Sequence, residues 1–278
     1  MDIEIENTIQ VMRCIHGADI SMYDVGFLQQ VLDKRRAATK NACLPDYVSY
    51  LTLNPAESQC LSSSLNITLT EFFRNTLTFA NLENWLLPNL INQKTDNNEL
   101  RIWSAGCSTG QEAYSIGMLV ENILAKKTKT IRYRIIATDI SEFALTTAQK
   151  GEYSQDAIQN IRVKDINNYF DQFGTMYQVK DSLRKQVSFS SYDLLDLYTS
   201  SPQESIFGNF DIVFCCNLLF YYQPEIQKRI LKKLINTMAE DGYLITGEAE
   251  KHVVTSLGGL RMVAPPSAIF QKSLRGLK

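Results

Sequence analysis

Glycines and small polar residues that could approach a ligand lie in the segment AGCSTGQE, residues 105–112. The segment follows an apolar, strand-like run and precedes an amphipathic helix, and a glycine-rich turn at such a place lets the backbone approach a bound molecule at the carboxyl edge of a sheet. Gly106 and Gly110 are separated by three residues, which is not the GxGxxG dinucleotide pattern, and no Lys-Ser/Thr pair follows as in a phosphate-binding loop. The segment predicts either a ligand-binding turn of another kind or a tight turn that simply requires glycine.

Asp139 is the second candidate, because it comes at the end of the next strand-like run, TIRYRIIATDI. A carboxylate in this position can accept hydrogen bonds from two ribose hydroxyls. The alternative role is an N-cap of the following helix, but Ser141 can supply that cap instead. Together with the glycine turn, Asp139 favours a cofactor that contains a nucleoside.

Two further segments place polar residues beside apolar ones. In FDIVFCCNLLFYY, residues 210–222, Asn217 follows an apolar run and two tyrosines come near its carboxyl end, where such residues line a cofactor crevice. Packing under the next helix is the favoured interpretation for Tyr222, whereas Tyr221 is predicted to line the site. In TEFFR, farther upstream, the position of Arg74 alone predicts only a surface side chain lying over apolar neighbours.

The elements that would position these residues alternate between strand and helix from Leu100 onward. Five strand-like runs are ELRIWSAG, TIRYRIIATDI, QVSFSSYDLLD, FDIVFCCNLLF and GYLITGEAE. The helix SEFALTTAQKG is expected to begin at an N-cap, Ser141, and to end at a C-cap, Gly151. This alternation predicts an α/β fold with a doubly wound, mainly parallel sheet. Residues 152–186 interrupt it and are predicted to form a polar insertion, a small antiparallel subdomain.

The part of the chain before the sheet is predicted to be helical. YDVGFLQQVLDKRRAA has apolar residues at helical spacing and includes the basic run Lys34–Arg36, and a second short helix is expected over Asp46–Leu53. LSSSLN, from Leu61 to Asn66, is interpreted as a connection. TEFFRNTLTFANLENWLLPNLINQ is interpreted as one further helix.

Composition and charge restrict the class of function. The chain has 28 Lys and Arg against 30 Asp and Glu, so its net charge of −2 offers no basic excess for a polyanion, and a nucleic-acid substrate is not expected. The sequence has no run of about 18 consecutive apolar residues, so membrane insertion is not expected. The acidic start MDIEIENTIQ lacks the basic and apolar regions of a signal peptide. The six cysteines form no CxxC pair and only two histidines are present, so no metal site is expected. We interpret the cysteines as reduced thiols of a cytoplasmic protein.

Taken together, the motifs resemble those of the chemotaxis protein-glutamate O-methyltransferases, the CheR-type family. That family carries Thr-Glu-Phe-Phe-Arg, Trp-Ser-Ala-Gly-Cys-Ser-Thr-Gly-Glu-Glu-Pro-Tyr-Ser, Ala-Thr-Asp-Ile, Gly-x-Tyr, Phe-Asp-x-x-Phe-Cys-Arg-Asn and Gly-His-Ser-Glu. The corresponding segments here, in the same order, are Thr70–Arg74, Trp103–Ser115, Ala137–Ile140, Gly151–Tyr153, Phe210–Asn217 and, weakly, Gly247–Glu250. The resemblance extends from about residue 20 to the end of the chain.

The resemblance implies a fold and an activity. The fold would be an N-terminal helical domain at residues 1–65 and a Rossmann-like methyltransferase domain at residues 66–278, with a small β-subdomain inserted at residues 152–186. The activity would be methyl transfer from S-adenosylmethionine (SAM) to glutamate side chains on the cytoplasmic helices of chemoreceptors, which leaves S-adenosylhomocysteine (SAH) and uses no metal. A cytoplasmic monomer is expected.

Carried over motif by motif, the resemblance also implies roles for individual residues. Arg74 and Tyr221 are expected beside the transferred methyl group. Asp139 is expected to bind the ribose, and Asp193 with Leu194 to lie on the adenine side. The full expected cofactor-binding set is Thr68, Thr70, Arg74, Gly106, Glu112, Asp139, Asp193, Leu194, Cys216 and Asn217.

Several positions depart from the family pattern. Thr68 and Asp193 each replace an asparagine of the family, and Gln111 replaces the first glutamate of its motif. Glu248 and Ala249 replace His-Ser, and Cys216 replaces an arginine. Asp193 can still accept a hydrogen bond from an adenine amino group. The missing arginine removes a cation near the site, which could weaken cofactor binding or change the acceptor. Two alternatives therefore stay open beside an active glutamate methyltransferase: a methyltransferase with a different acceptor, and a SAM-binding regulator.

Overall fold

The computed structural model describes residues 3–66, 69–95, 98–127, 131–205 and 208–272. The chain divides into two compact units. The helical unit comprises Met1–Ile67 and Phe220–Gln227, and the sheet unit comprises Thr68–Leu219 and Lys228–Lys278. The boundary between the units falls after Ile67, close to the expected boundary after residue 65. The helical unit also includes Phe220–Gln227, a segment that comes much later in the sequence.

The helical unit contains α1 (Ile3–Cys14), α2 (Val25–Ala38), α3 (Leu44–Leu53) and α4 (Pro55–Leu65). The predictions of a helix in YDVGFLQQVLDKRRAA and of a second over Asp46–Leu53 are confirmed. Asp24 caps α2, since its carboxylate accepts a hydrogen bond from the Phe27 N–H at 3.0 Å. The four helices enclose one apolar core, which includes Ile5, Ile9, Met12, Leu28, Leu32, Tyr47, Leu51 and Leu61.

The expectation of a connection over Leu61–Asn66 is wrong, because α4 continues through Leu65. Leu61 and Leu65 are one helical turn apart and both are buried. The intervening Ser64 donates its hydroxyl to the Cys60 carbonyl at 2.7 Å, within the helix itself. Burial of two leucines on one helical face outweighs the modest helix propensity of serine.

The helix expected over TEFFR and the following residues begins later than predicted. Its helical part consists of α5 (Thr76–Asn81), a π-helical turn and α6 (Leu87–Gln93), while TEFFR itself ends in a turn. Phe73 has a φ of +53°, and its N–H donates to the Ser115 hydroxyl at 3.1 Å. Phe72 is fully buried, with its ring 4.9 Å from that of Tyr153. The turn is favoured because it buries Phe72 against residues that are distant in sequence.

The sheet unit is built on seven strands in the order β6-β2-β1-β7-β8-β10-β9. The strands are β1 (Leu100–Ala105), β2 (Tyr133–Asp139), β6 (Val187–Ser191), β7 (Phe210–Cys215), β8 (Met238–Thr246), β9 (Leu260–Met262) and β10 (Ile269–Lys272). β6, β2, β1, β7 and β8 are parallel, whereas β10 runs antiparallel to β8 and β9 antiparallel to β10. The prediction of an α/β fold with a mainly parallel, Rossmann-like sheet is confirmed.

Helices alternate with the parallel strands, as the α/β pattern predicts. They are α7 (Gln111–Leu124), α8 (Glu142–Lys150) and α11 (Pro224–Thr237), and α12 (Lys251–Leu257), which was not predicted, follows β8. Both predicted caps of α8 are confirmed: Ser141 accepts a hydrogen bond from the Ala144 N–H at 3.2 Å, and Gly151 ends the helix with a φ of +65°.

Residues 152–186 contain a second sheet, which is antiparallel and has the order β3-β5-β4. Its strands are β3 (Glu152–Ser154), β4 (Phe170–Phe173) and β5 (Met176–Val179), and the same interval holds α9 (Val163–Tyr169) and α10 (Asp181–Arg184). Tyr153, in β3, donates its hydroxyl to the carbonyl of Thr109 at 2.7 Å. The small sheet is therefore attached to the glycine turn that follows β1.

The strand order reverses at β1. β2 and β6 lie on one side of it, and β7 and β8 lie on the other. In open α/β sheets the crevice at the carboxyl ends of the strands, beside such a reversal, is where ligands bind. Along the described parts of the chain, no helix has both the length and the apolar character needed to cross a membrane.

Candidate active site

The turn after β1 is shaped by glycine at two positions. Gly106 and Gly110 have φ values of +76° and +92°. A Cβ added at Gly110 would lie 2.9 Å from the Cβ of Ala148, so any side chain there would collide with α8. At Gly106 the nearest atoms to an added Cβ belong to the Leu218 side chain, at 3.4 Å. Gly110 is therefore required for packing against α8, whereas at Gly106 it is the positive φ that favours glycine.

Asp139 lies at the end of β2 and binds both the glycine turn and the start of α8. Its Oδ2 accepts a hydrogen bond from the Ser108 N–H at 2.7 Å, and its Oδ1 accepts one from the Ser141 N–H at 2.9 Å. Burial raises the pKa of the Asp139 carboxyl, and backbone N–H groups oppose that rise. A carboxylate has about four acceptor positions, so Asp139 retains capacity for a further donor.

Glu112 stands in the first turn of α7, directly beyond the glycine turn. Its Oε1 accepts a hydrogen bond from the Ser104 hydroxyl at 2.7 Å. Burial raises the pKa of Glu112 to about 7, and the negative charge of Glu250 adds to the rise. Hydrogen bonds from Ser104 and Cys216, together with the positive charge of Arg74, lower that pKa. The structure thus brings Arg74, Glu112 and Cys216 within electrostatic reach of one another.

Arg74 is half-buried in the turn that precedes α5, and its Nη1 donates to the Leu69 carbonyl at 2.9 Å. Thr70, also half-buried, lies in the same segment. Thr68, the other residue of this segment expected to bind cofactor, is outside the described residues. The expected cation of the site therefore sits on the irregular segment before the sheet.

Cys216 and Asn217 follow β7 at the strand-order reversal. Cys216 is half-buried, with its Sγ 3.7 Å from the Ile245 carbonyl oxygen, and burial raises the pKa of its thiol well above the usual value. Asn217 has a φ of +59°, a conformation that asparagine tolerates better than most residues. The thiol stays protonated and uncharged near neutral pH, so Cys216 does not replace the charge of the family arginine.

Asp193 and Leu194 lie in the segment after β6. Asp193 is exposed, and its Oδ1 accepts a hydrogen bond from the Leu195 N–H at 2.7 Å, whereas Leu194 is buried. The preceding Tyr192 N–H donates to the carbonyl of Asp139 at 3.1 Å. This bond ties the segment to the end of β2.

Glu250 was missed as a site residue by sequence reasoning. It is fully buried, and its two oxygens accept four backbone N–H groups, from Asn217, Leu218, Leu219 and Gly247, at 2.6–2.9 Å. The only sequence signal was the weak echo of Gly-His-Ser-Glu at Gly247–Glu250. Nothing in that short motif indicates that the Glu250 side chain connects the segment after β7 to the segment after β8.

Tyr221 belongs to the helical unit. Its carbonyl accepts a hydrogen bond from the Asp24 N–H at 2.8 Å, and its ring lies 4.8 Å from that of Phe27. Tyr222 stacks on Tyr23 with ring centroids 5.3 Å apart, in line with the packing role preferred for it. Because Arg74 is in the sheet unit, the pairing of Arg74 with Tyr221 beside a methyl group stays a prediction.

A cavity of about 470 Å³ lies along one face of α2 in the helical unit. Its lining consists of Phe27, Gln30, Val31, Lys34, Arg35, Ala38, Ser64 and Tyr221. Arg35 is held in a bidentate ion pair with the buried Glu57, at 2.9 and 2.6 Å.

In the described part of the chain, no group of three or more His, Cys, Asp or Glu side chains is arranged to hold a metal ion.

Residues 68–260 match the family described as "CheR methyltransferase, SAM binding domain". A chemotaxis protein methyltransferase of Pseudomonas putida is 37% identical over 185 residues, which are 65% of this chain and 65% of that protein. Chemotaxis protein methyltransferase 1 of Pseudomonas aeruginosa has the same identity and coverage, and the chemotaxis protein methyltransferase of Borreliella burgdorferi is 30% identical over 74% of this chain and 72% of its own. The chain thus spans just under two thirds of the length of the two Pseudomonas proteins.

Proposed function

The chain belongs to the CheR methyltransferase family, and from that membership we propose that it methylates a protein in chemotaxis. The methyl donor would be SAM and the acceptors glutamate side chains, on the cytoplasmic helices of chemoreceptors. The observation that carries the proposal is the convergence of Asp139, Glu112 and the turn at Gly106 at the carboxyl edge of a sheet whose strand order reverses there.

The residues at this edge fit such a cofactor chemically. SAM presents ribose hydroxyls, an adenine amino group and an ammonium, all of which are hydrogen-bond donors. Asp139, Glu112 and Asp193 are acceptors when ionised. Asp139 would bind the ribose, Glu112 and Thr70 the methionine end, and Asp193 with Leu194 the adenine. Arg74, Cys216, Asn217 and Thr68 complete the proposed set.

Bound SAM supplies an electrophilic methyl group on a sulfonium. A glutamate acceptor has a reference pKa of about 4.3 and is already ionised at neutral pH, so the enzyme needs no strong general base. Its own residues must instead align the carboxylate and remove its water, and alignment can contribute roughly 7–11 kcal/mol in favourable cases. We assign this task to Arg74, whose planar guanidinium can hold a carboxylate with two hydrogen bonds, and to the Tyr221 hydroxyl.

The helical unit supplies support for an acidic protein as acceptor. The cavity on α2 includes the exposed Lys34 beside Tyr221, whereas the charge of Arg35 is paired with Glu57. A partly apolar surface that carries a lysine thus adjoins one of the two residues proposed to act on the acceptor. An acidic helix could dock there with apolar contacts below and charged contacts at the rim. Since the proposed acceptor helices are cytoplasmic, we place the protein in the cytoplasm, as a monomer.

Methyl transfer to a chemoreceptor cytoplasmic fragment, measured with SAM labelled at the methyl group, tests the proposal. Arg74→Ala is expected to slow transfer by about a hundredfold or more, as loss of one transition-state donor does. Arg74→Lys should recover only part of the rate, because lysine keeps the charge but not the fork. Transfer by Arg74→Ala at the wild-type rate would reject the assignment of Arg74. Tight SAM binding without transfer to any receptor fragment would instead favour the regulator, for which Cys216 in place of arginine is the motivating observation.

A further inference from the structure

Glu250 occupies an unusual position for a carboxylate. It is fully buried at the junction of two segments, those following β7 and β8. Oε1 accepts from Leu218 N at 2.8 Å and from Leu219 N at 2.6 Å, while Oε2 accepts from Asn217 N at 2.9 Å and from Gly247 N at 2.7 Å. All four bonds are to backbone, so this side chain acts on the path of the chain itself.

The packing around Glu250 leaves no room for a side chain at Gly247. A Cβ at Gly247 would lie 2.7 Å from the Glu250 Oε2 and 2.9 Å from the Asn217 side-chain nitrogen. Asn217 adopts a φ of +59° in this arrangement. The carboxylate therefore fixes the residue that directly follows Cys216, at the strand ends that flank the proposed cofactor site.

The charge of Glu250 is held in place by the same bonds. Burial raises the pKa of the Glu250 carboxyl, and the four N–H donors that point at its two oxygens oppose that rise by favouring the ionised form. Its negative charge acts on neighbouring groups: it adds to the effect of burial in raising the pKa of Glu112 and of Cys216. A fixed negative charge thus lies within electrostatic reach of the site without needing to touch a ligand.

Building on the proposed function, we propose that Glu250 is a positioning residue that holds the segment after β7 and whose fixed charge makes the site prefer the cationic SAM over SAH. SAM carries one more positive charge than SAH, at the sulfonium. The two ligands are otherwise alike in the groups that hydrogen-bond to protein. A general loss of structure weakens both equally, whereas loss of the charge weakens SAM more.

Calorimetric titration of the full chain with SAM and with SAH, for the wild type and for Glu250→Gln, tests the proposal. Glutamine has nearly the same shape but no charge, and its amide nitrogen cannot accept from the backbone N–H groups. Both ligands should bind more weakly, and the ratio of the SAM to the SAH dissociation constant should rise by up to about tenfold, because the substitution removes the attraction between Glu250 and the sulfonium charge that only SAM carries. Equal weakening of both ligands, or no weakening, overturns the proposal.

Glu248→Gln provides the matched control. Glu248 lies two residues earlier, with its side chain 43% exposed and paired with Lys251 at 2.5 Å, so its loss should leave the ratio unchanged. Should Glu250→Gln fail to fold, Glu250→Asp keeps the charge on a shorter side chain. That variant should weaken both ligands by the same factor, and either a changed ratio or unchanged affinities would contradict the proposal. A wild-type chain that binds neither ligand would reject the proposed function itself.

Discussion

Binding of SAH should become tighter as the pH rises through about 7, and Glu112→Gln should abolish this dependence. In the proposed site, Glu112 faces the ammonium of the cofactor, and a nearby cation favours the ionised carboxylate. Burial raises the pKa of Glu112 to about 7 in the free protein. Binding therefore lowers the pKa of Glu112 and releases its proton wherever the free protein still holds it.

The expected size of the effect follows from this pKa. With a value of about 7, roughly a tenth of Glu112 is ionised at about pH 6 and roughly nine tenths at about pH 8. The affinity for SAH should then rise by about tenfold over this interval, and close to one proton should be released per SAH bound near pH 6. Above about pH 8 the affinity should level off, because little Glu112 remains protonated.

Isothermal titration calorimetry measures both quantities. Titrations at the same pH in buffers with different ionisation enthalpies give the number of protons released, and a pH series gives the affinities. Glu112→Gln should bind SAH more weakly, release no proton and show a flat pH profile. Glu121→Gln is the matched control on the same helix, since Glu121 accepts a hydrogen bond from the Tyr133 hydroxyl away from the site, and it should keep the wild-type profile.

Two results would refute the reasoning about Glu112. One is a wild-type affinity that changes less than about twofold between about pH 6 and pH 8 without proton release. The other is a pH dependence that persists in Glu112→Gln, which would assign it to a different group. Charged or titratable groups within electrostatic reach of Glu112 are Arg74, Cys107, Cys215, Cys216 and Glu250, and substitution of each would then locate the group responsible.

Three further substitutions test the described geometry. Asp139→Asn should weaken SAH binding by about tenfold or more, as measured by calorimetry. It should also lower the free energy of unfolding in urea by about 1–3 kcal/mol, because the amide nitrogen of the new asparagine would face a backbone N–H donor. Gly110→Ala should lower the free energy of unfolding by about 2 kcal/mol or more, since an added Cβ would lie 2.9 Å from that of Ala148 at a φ of +92°. Arg35→Met should cost about 3–5 kcal/mol in urea unfolding of the helical unit, because it leaves the carboxylate of Glu57, only 5% exposed, without its cation.

Each of these has a control in the same unit. Asp171→Asn removes an exposed carboxylate and should leave SAH affinity unchanged. Gly174 has a φ of +62°, but no atom lies within 4 Å of a Cβ added there. Gly174→Ala should therefore lower the free energy of unfolding only by the backbone strain, about 1 kcal/mol. Arg13→Met breaks a half-exposed pair with Asp19 and should cost less than about 1 kcal/mol. A variant and its control with equal effects would contradict the corresponding explanation.

Local sequence patterns were sufficient for the five parallel strands and for the helices that alternate with them, whereas β9, β10 and α12 were not predicted. The apolar runs ending at Ala105 and Asp139 are strands, and α8 begins at Ser141 and ends before Gly151, as predicted. These features depend on residues close together in the chain: side-chain period, a hydroxyl that caps a helix, and a glycine that adopts a positive φ. The motifs that resemble the CheR-type family are likewise short contiguous segments, and the family match over residues 68–260 agrees with that resemblance.

Other features depended on contacts between distant segments. TEFFR was predicted to be helical, yet it forms a turn in which Phe72 packs on Tyr153 and Phe170. Leu61 and Leu65 make a helix of a serine-rich run because the helical unit buries both. Local propensity differs by less than about 1 kcal/mol per residue, which is smaller than the free energy of burying a large apolar side chain.

The sequence by itself therefore determined the α/β class, the order of the strands and helices, and the identity of most candidate site residues, since each is encoded in local periodicity or in a contiguous motif. Tertiary structure decided what those residues do to one another. The pKa of Glu112 near 7 and the four backbone bonds of Glu250 arise from burial and from segments that meet only when β1, β7 and β8 lie side by side. Desolvation and hydrogen bonding of a carboxylate depend on what surrounds it in space, and no local pattern in the sequence contains that information.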